Sequence, residues 1–228
     1  MRRHVPLLNL TPMEQLRAGT LPQRVAQLLA GLTLYGVSMA MTIRSTLGVD
    51  PWDVFHAGVA NRVPLTFGQV TIVTGALVLL LWWPLRQWPG LGTITNVVVI
   101  GLAADAGLGL IAEPRGLAAR LAMLIFGIVL NGVAGGLYIG SQLGPGPRDG
   151  LMTGFARRTG LSIRLVRTLI EVTVLGVGWA LGGPVGVGTI LYAVAIGPLV
   201  QFFLPRLTRS LEPPLVGAQA APVPSTIA

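Results

Sequence analysis

The chain has 228 residues, 52% of them hydrophobic and 11% charged, with a net charge of +8 and no cysteine; its mean hydropathy is +0.72. That balance excludes a water-soluble globular domain, and the absence of thiols excludes a disulfide framework. Basic residues fall in short segments between apolar runs, as in membrane loops, so the expected partner is a lipid bilayer and no nucleic acid is expected.

Residues 1–21 read as a cytoplasmic segment. Arg2 and Arg3 precede an apolar run broken by Asn9 and Pro12 and lacking a cleavage site, so a signal peptide is not expected. Thr11-Pro12-Met13-Glu14 has a Thr cap, Pro at the first helical position and Glu three after the cap, which predicts a short interfacial helix. A first span runs from about Pro22 to Ile43, with Gly31, Gly36 and Ala40 small enough for close helix approach, and Arg44 ends it. Residues 45–64 are too polar to cross. They hold a helical stretch from Pro51 to about Val63 that reaches only about 20 Å, with Asp53, His56 and Ala60 on one face.

A second span covers Leu65 to Trp83, with Trp82, Trp83 and Trp88 suited to the membrane interface, and a third covers Gly90 to Ile111. After a tight connection at Glu113 to Gly116 come a fourth span from Leu117 to Tyr138 and a polar segment to Gly160. A fifth span, Leu161 to Leu181, and a sixth, Gly186 to Leu204, complete the set. Residues 205–228 read as cytoplasmic, with a Pro- and Ala-rich tail from Glu212 onward expected to be disordered.

Ser45 to Phe55, STLGVDPWDVF, returns 96 residues later as Ser141 to Leu151, SQLGPGPRDGL. Pairing residues 21–108 with 117–204 without a gap gives 31 identities in 88 pairs, against roughly 7 expected by chance in a composition so rich in Leu, Gly, Ala and Val. Each copy holds three crossings, an odd number, so the second copy must enter the membrane from the opposite side. Charge leans the same way: with the N-terminus inside, Arg2, Arg3, Arg17, Arg24, Arg86, Arg148, Arg157, Arg158, Arg164, Arg206 and Arg209 are cytoplasmic, while the opposite loops hold Arg44, Arg62, Arg115 and Arg120 against Asp50, Asp53 and Glu113. The expected fold is all-α and polytopic: six transmembrane helices in two inverted repeats of three, residues 22–112 and 117–204. Each repeat carries a short half-helix after its LGxxPxD motif.

In that motif Gly permits a sharp turn, Pro takes the first helical position, and Asp53 or Asp149 lies in the first turn against the positive helix end. Two readings stay open: a capped helix at the membrane surface, or two half-helices directed at the midplane to build a site. The repeat also exchanges an amide and a phenol, because Tyr35 matches Asn131 and Asn96 matches Tyr192. Asp53, Asp149, Tyr35, Asn131, Asn96 and Tyr192 are therefore the ligand-binding candidates; interhelical hydrogen bonding is the alternative for the amides and phenols.

Charged residues within spans are costly and so informative. Asp105, matched to Gln201, is a proton or cation site, or else lies near the interface where it is solvated or paired. Arg164, Arg167 and Glu171 share one face of the fifth span, as a local Arg167–Glu171 pair or as an anion-attracting vestibule. These four are the candidates for charge relay or gating. Gly132, Gly136 and Gly140 form a packing stripe. No G-x-S-x-G elbow, phosphate loop or H-E-x-x-H occurs, and the two histidines, His4 and His56, make no metal site. No catalytic residue, cofactor or metal is expected, and no enzyme activity.

The stretches LGVDPWDVFHAGV and GPGPRDGLMTGFARRTG, followed by IEVTVLGVGWALGGPVGVGTI and AIGPLVQFF, resemble the YczE-like family of bacterial integral membrane proteins and, more distantly, the YitT group. The resemblance runs from about Pro22 to Leu204 and implies a multi-pass protein of the bacterial inner membrane. A family member is associated with production of secondary metabolites, and no substrate or site residue carries over. Two functions follow from the reading. One is a small-solute transporter or permease rocking about a site between the halves. The other is an accessory protein supporting a biosynthetic or export complex, whose partner is another membrane protein or a second copy of the chain.

Overall fold

The computed structural model describes Leu7 and residues 10–211. These residues form nine helices and no strand: α1 (Pro12–Arg17), α2 (Leu21–Ser45), α3 (Pro51–Ala60), α4 (Phe67–Trp82), α5 (Leu91–Leu110), α6 (Leu117–Gly140), α7 (Pro147–Thr159), α8 (Ile163–Ala180) and α9 (Val187–Leu207). Arg2, Arg3, His4 and the tail from Glu212 lie outside the described residues. Four helices, α2, α5, α6 and α9, are long and apolar enough to cross a membrane. The other two expected spans fall short for different reasons. The 16 residues of α4 reach only about 24 Å, and α8 carries Arg164, Arg167 and Glu171 within its 18 residues.

The first helix forms as its sequence predicts. Thr11 caps α1, donating from its backbone N–H and its hydroxyl to Glu14 Oε2 at 2.8 Å each. Those bonds hold the Glu14 carboxyl below the usual carboxylate range. What ties α1 to the bundle is Arg24, whose side chain is fully buried. Its guanidinium donates to Gln15 O at 2.6 Å, Ser141 O at 2.9 Å and Gln142 O at 2.6 Å, carbonyls near the C-terminal ends of α1 and α6, where a cation is favoured. Arg24→Ala is expected to cost about 3 kcal/mol, because buried carbonyls lose a charged donor. Its repeat partner Arg120, 38% exposed and paired with Glu113 at 3.3 Å, is expected to change stability by less than about 0.5 kcal/mol on the same substitution. Denaturant unfolding of the two variants in detergent compares them directly.

The long helices pack through glycine. A Cβ at Gly31 would meet Ala134, Leu137 and Tyr138, and a Cβ at Gly127 would meet Ser38, Met41 and Thr42. Early α2 therefore lies against late α6 and late α2 against early α6, so the two helices are antiparallel and their C-terminal turns leave at opposite ends. These two contact sets differ by the 96-residue offset at every position. Gly36 against Ala103 and Gly107 against Ala40 run α2 parallel to α5; Gly132 against Leu199 and Gly136 against Phe203 do the same for α6 and α9. The expected glycine stripe of α6 is thus a seam with α9.

The short helices cross over. α3 packs on α8 and α4, and α7 packs on α4 and α8, with Leu181 beside Gly58 and Leu85 beside Gly154. The two motif turns share a backbone: Thr46 and Gln142 are left-handed at φ 58° and 55°, followed by Gly48 and Gly144 at φ 105° and 119°. Glycine is required at those positions twice over, for the positive φ and for close approach. A Cβ on Gly48 would lie 2.6 Å from Gly186 N, and one on Gly144 would lie 2.9 Å from Thr93 Oγ1. Each turn docks on the far half: Gly188 N–H donates to Leu47 O, and Gly92 N–H to Leu143 O, both at 2.7 Å.

Outward faces are apolar. Leu77, Leu80, Leu81, Trp83, Val172, Trp179, Val187, Ile190 and Val194 are exposed, whereas Arg24, Asp50, Asp53, His56 and Asn131 are buried. Apolar surface around a polar interior is the arrangement that hydrocarbon solvent favours.

Candidate functional site

The motif turns deliver the N-termini of α3 and α7 to the interior. At α3 the N-cap is Asp50, whose Oδ1 accepts from Trp52 N at 2.8 Å and Asp53 N at 3.0 Å. At α7 the N-cap is Gly146, which has no side chain to do this. Between the two ends sits Arg148. Its guanidinium carbon lies 5.5 Å from the centre of the Trp52 ring, within cation–π range. NH1 is 3.7 Å from Asp50 Oδ1, and NH2 donates to the Tyr35 hydroxyl at 3.3 Å.

Behind Asp50 the α3 helix carries Asp53 and His56, with Nδ1 and Oδ1 3.4 Å apart. Both residues are buried, as is Trp52. Asp53 Oδ1, His56 Nδ1 and Trp52 Nε1 have no hydrogen-bond partner within the protein. A buried polar atom without a partner is costly, and three of them occur within one turn of helix. Trp52 and His56 line a cavity of about 40 Å3, together with Thr71, Asn96, Pro147 and Arg148, among others. That is room for roughly three waters, or for a polar group of similar size. Trp82, the other indole here, is satisfied: its Nε1–H donates to Pro147 O at 3.0 Å and so fixes the start of α7.

A second chain of polar groups crosses the long helices. Tyr192 of α9 donates to Asn131 Oδ1 at 2.9 Å, and Asn131 Nδ2 donates to Ser38 Oγ at 2.7 Å. The Tyr192 and Tyr35 hydroxyls are neighbours, so this chain ends at Arg148. Tyr138 stacks edge-on against Tyr35 and donates to Asp149 Oδ2 at 3.1 Å. A Cβ at Gly146 would lie 3.1 Å from Asp149 Oδ2 and 3.7 Å from Asn96 Nδ2.

Tyr35, Asn131 and Tyr192, singled out from the sequence, therefore meet in one network, and Asn96 and Asp149 flank the N-terminus of α7. Asp53 lies across Arg148 from them, beside His56. The four charged candidates sit farther out. Asp105 accepts from Thr66 Oγ1 at 2.5 Å and from Gly68 N at 2.7 Å, so it is paired within the protein. Arg167 and Glu171 form the expected local pair at 2.8 Å, with Asp149 and Tyr192 within electrostatic reach of Arg167. Arg164 is exposed.

Residue-type reasoning missed Arg148, Asp50, Trp52 and His56, and with them Ser38 and Tyr138. One signal was available: the 96-residue offset pairs Trp52 with Arg148 in the central position of PWD and PRD. Among the described residues no group of three or more His, Cys, Asp or Glu is arranged to hold a metal.

Residues 22–205 match the family described as "Family of unknown function (DUF6198)". The chain belongs to this family. It is 39% identical over 185 residues to an "Uncharacterized protein" of Haemophilus influenzae, covering 81% of this chain and 85% of that protein. It is 35% identical over 185 residues to the "Uncharacterized membrane protein YczE" of Bacillus subtilis, covering 80% and 86%. A further Bacillus subtilis relative, "Uncharacterized protein YyaS", is 26% identical over 183 residues, covering 78% and 91%. No solved structure matches. The resemblance read from the PWD and PRD motifs holds. With its long apolar helices and apolar exterior, this DUF6198 chain is a multi-pass membrane protein in contact with lipid.

Proposed function

We propose that this chain is a small-solute transporter of the bacterial inner membrane, with both termini cytoplasmic. It has six crossings in two inverted halves, residues 22–112 and 117–204, and α3 and α7 are re-entrant half-helices that meet at a solute site around Arg148. One observation carries the reading. Trp52 and Arg148 are related by the repeat, and they touch each other. Residues exchanged by a two-fold axis can be in contact only near that axis. With α2 and α6 antiparallel, the axis crosses the bundle and lies in the plane of the membrane, so the contact belongs at mid-depth and not at a surface. Polar groups held there with free donors and acceptors are the usual mark of a transported ligand or ion.

The site offers donors from Arg148, Trp52 and Asn96 and acceptors from Asp53, His56 and Asp149, so the solute is small and polar. The reading assigns no catalysis to the chain. A thermal-stability screen of the purified protein against polar metabolites tests it: a ligand at 100 times its Kd adds about 2.7 kcal/mol. The stabilising solute is expected to enter sealed vesicles containing the protein. Asn131→Ala combined with Asn96→Ala is expected to abolish that uptake and leave the folded protein in the membrane. A solute that stabilises the wild type, yet enters vesicles no faster with the protein than without it, overturns transport and leaves a scaffold role.

A further inference from the structure

The two halves share most of their helix pairings and differ most at one. In the first half α4 and α5 pack along their length, whereas the corresponding helices of the second half, α8 and α9, make no extended contact. A Cβ at Gly101 would lie 2.5 Å from Gly68 O, so α4 and α5 touch through backbone. Asp105 reinforces that contact through Thr66 and Gly68. The related positions in the second half are Ser162, Arg164, Gly197 and Gln201. Here Arg164 is exposed, and a Cβ at Gly197 would meet nothing within 4 Å.

The gap between α8 and α9 has a charged pair beside it. Arg167 and Glu171 stand on its α8 side, 48% and 32% exposed, with Asp149 and Tyr192 in reach of Arg167. Charged groups so placed belong beside water, not hydrocarbon. Through Asp149 and Tyr192, Arg167 is in reach of the Arg148 network, and the same end of α8 and α9 carries Arg164, Arg206 and Arg209. At the opposite end the equivalent path is shut by the Thr66–Asp105 contact.

We infer that the splayed α8–α9 pair is the entry vestibule for the solute and that Asp105, held by Thr66 and Gly68, is the latch on the opposite entrance. The inference rests on the transport reading above and adds its route: solute enters from the cytoplasmic end between α8 and α9. Transfer then requires α8 and α9 to take up the packing that α4 and α5 now have, while the Asp105 latch opens. Each half serves in turn as the template for the other. Asp105 acts by position, holding two helices together, and touches no solute.

The absence of native cysteine makes the test direct. Thr71 and Arg167 are repeat partners, one on the latched pair and one in the vestibule. Single Thr71→Cys and Arg167→Cys proteins are treated in sealed vesicles with a membrane-impermeant thiol reagent, applied from each side in turn and without any solute. The thiol replacing Arg167 is expected to react from the cytoplasmic side and the thiol replacing Thr71 to be protected from both. Adding Asp105→Asn is expected to raise labelling of the thiol replacing Thr71 from the outer side. Labelling of the thiol replacing Arg167 should fall, with the ratio of the two rates moving by about tenfold, the effect of losing one charge-assisted hydrogen bond. Thr66→Asn, which keeps a capping side chain for α4, should move the ratio in the same direction if the asparagine variant at 105 folds poorly. Protection of the thiol replacing Arg167 from the cytoplasmic side, or a ratio unmoved by both latch variants, overturns the inference. Labelling needs no solute, so either result is independent of whether the stability screen and the uptake assay bear out transport.

Discussion

Arg148→Ala is expected to lower the unfolding free energy by about 3 kcal/mol, among the largest losses available to a single substitution outside the glycine seams. The reason lies in what stays behind. Asp50 and Asp53 are 3% and 1% exposed, and Arg148 is the cation nearest to Asp50, at 3.7 Å. Removing it leaves carboxylates in a low-dielectric interior with no compensating charge. Asp50→Asn separates this effect from ordinary loss of packing. Asparagine caps a helix about as well as aspartate, so it retains the bonds from Trp52 N and Asp53 N while discarding the charge. Alone it is expected to cost little, and in combination with Arg148→Ala it is expected to restore roughly half of the loss. Arg148→Lys should rescue less than its charge suggests, because a lysine cannot both stack on Trp52 and reach the Tyr35 hydroxyl. Denaturant midpoints in detergent read all four proteins. If the losses from Asp50→Asn and Arg148→Ala simply add, the buried-charge account of the site is wrong.

That dependence on a charge pair also explains why the sequence disclosed the scaffold better than the site. Helix positions followed from apolar runs and small-residue seams, and the helix ends fall within a few residues of the expected ones. The break at Asn61 illustrates the kind of error that remains. Asn61 Nδ2 donates to Gly182 O and Arg62 Nε to Leu181 O, so α3 ends on the loop of the other half, a contact no local pattern encodes. The capping of α1 by Thr11 and Glu14 is local, and it was legible.

The site needed information of another kind. Tyr35, Asn131 and Tyr192 could be picked out because polar groups inside apolar runs are conspicuous. Arg148 could not, because it reads as one of many basic loop residues until the turn at Gly144 carries it inward. His56 is equally ordinary in sequence and becomes informative only when Asp53 is found 3.4 Å away with neither atom satisfied. The splaying of α8 from α9 was foreshadowed by substitution across the repeat: Gly68 becomes Arg164 and Gly75 becomes Glu171. Two glycines of α4 that lie against α5 are replaced in α8 by long charged side chains.

Glycine should then report the asymmetry quantitatively, since Gly101 and Gly197 are the same position in two halves that differ in packing. Gly101→Ala is expected to be severely destabilising, by about 3 kcal/mol or more, because the new methyl must fit against Gly68 O and the Ile72 side chain where backbone cannot yield. Gly197→Ala adds a methyl where nothing lies within 4 Å, within the interior of α9, where alanine is favoured over glycine by up to about 1 kcal/mol. It is expected to leave stability unchanged or to raise it. In the proposed cycle a methyl at Gly197 would obstruct the approach of α9 to α8 that closure demands, so this stable variant should bind solute yet move it slowly. Unfolding midpoints, solute-induced stabilisation and vesicle uptake measured on one preparation separate these effects. Equal destabilisation by the two alanines would mean that α8 and α9 pack in the membrane as α4 and α5 do, and the open vestibule would have to be abandoned.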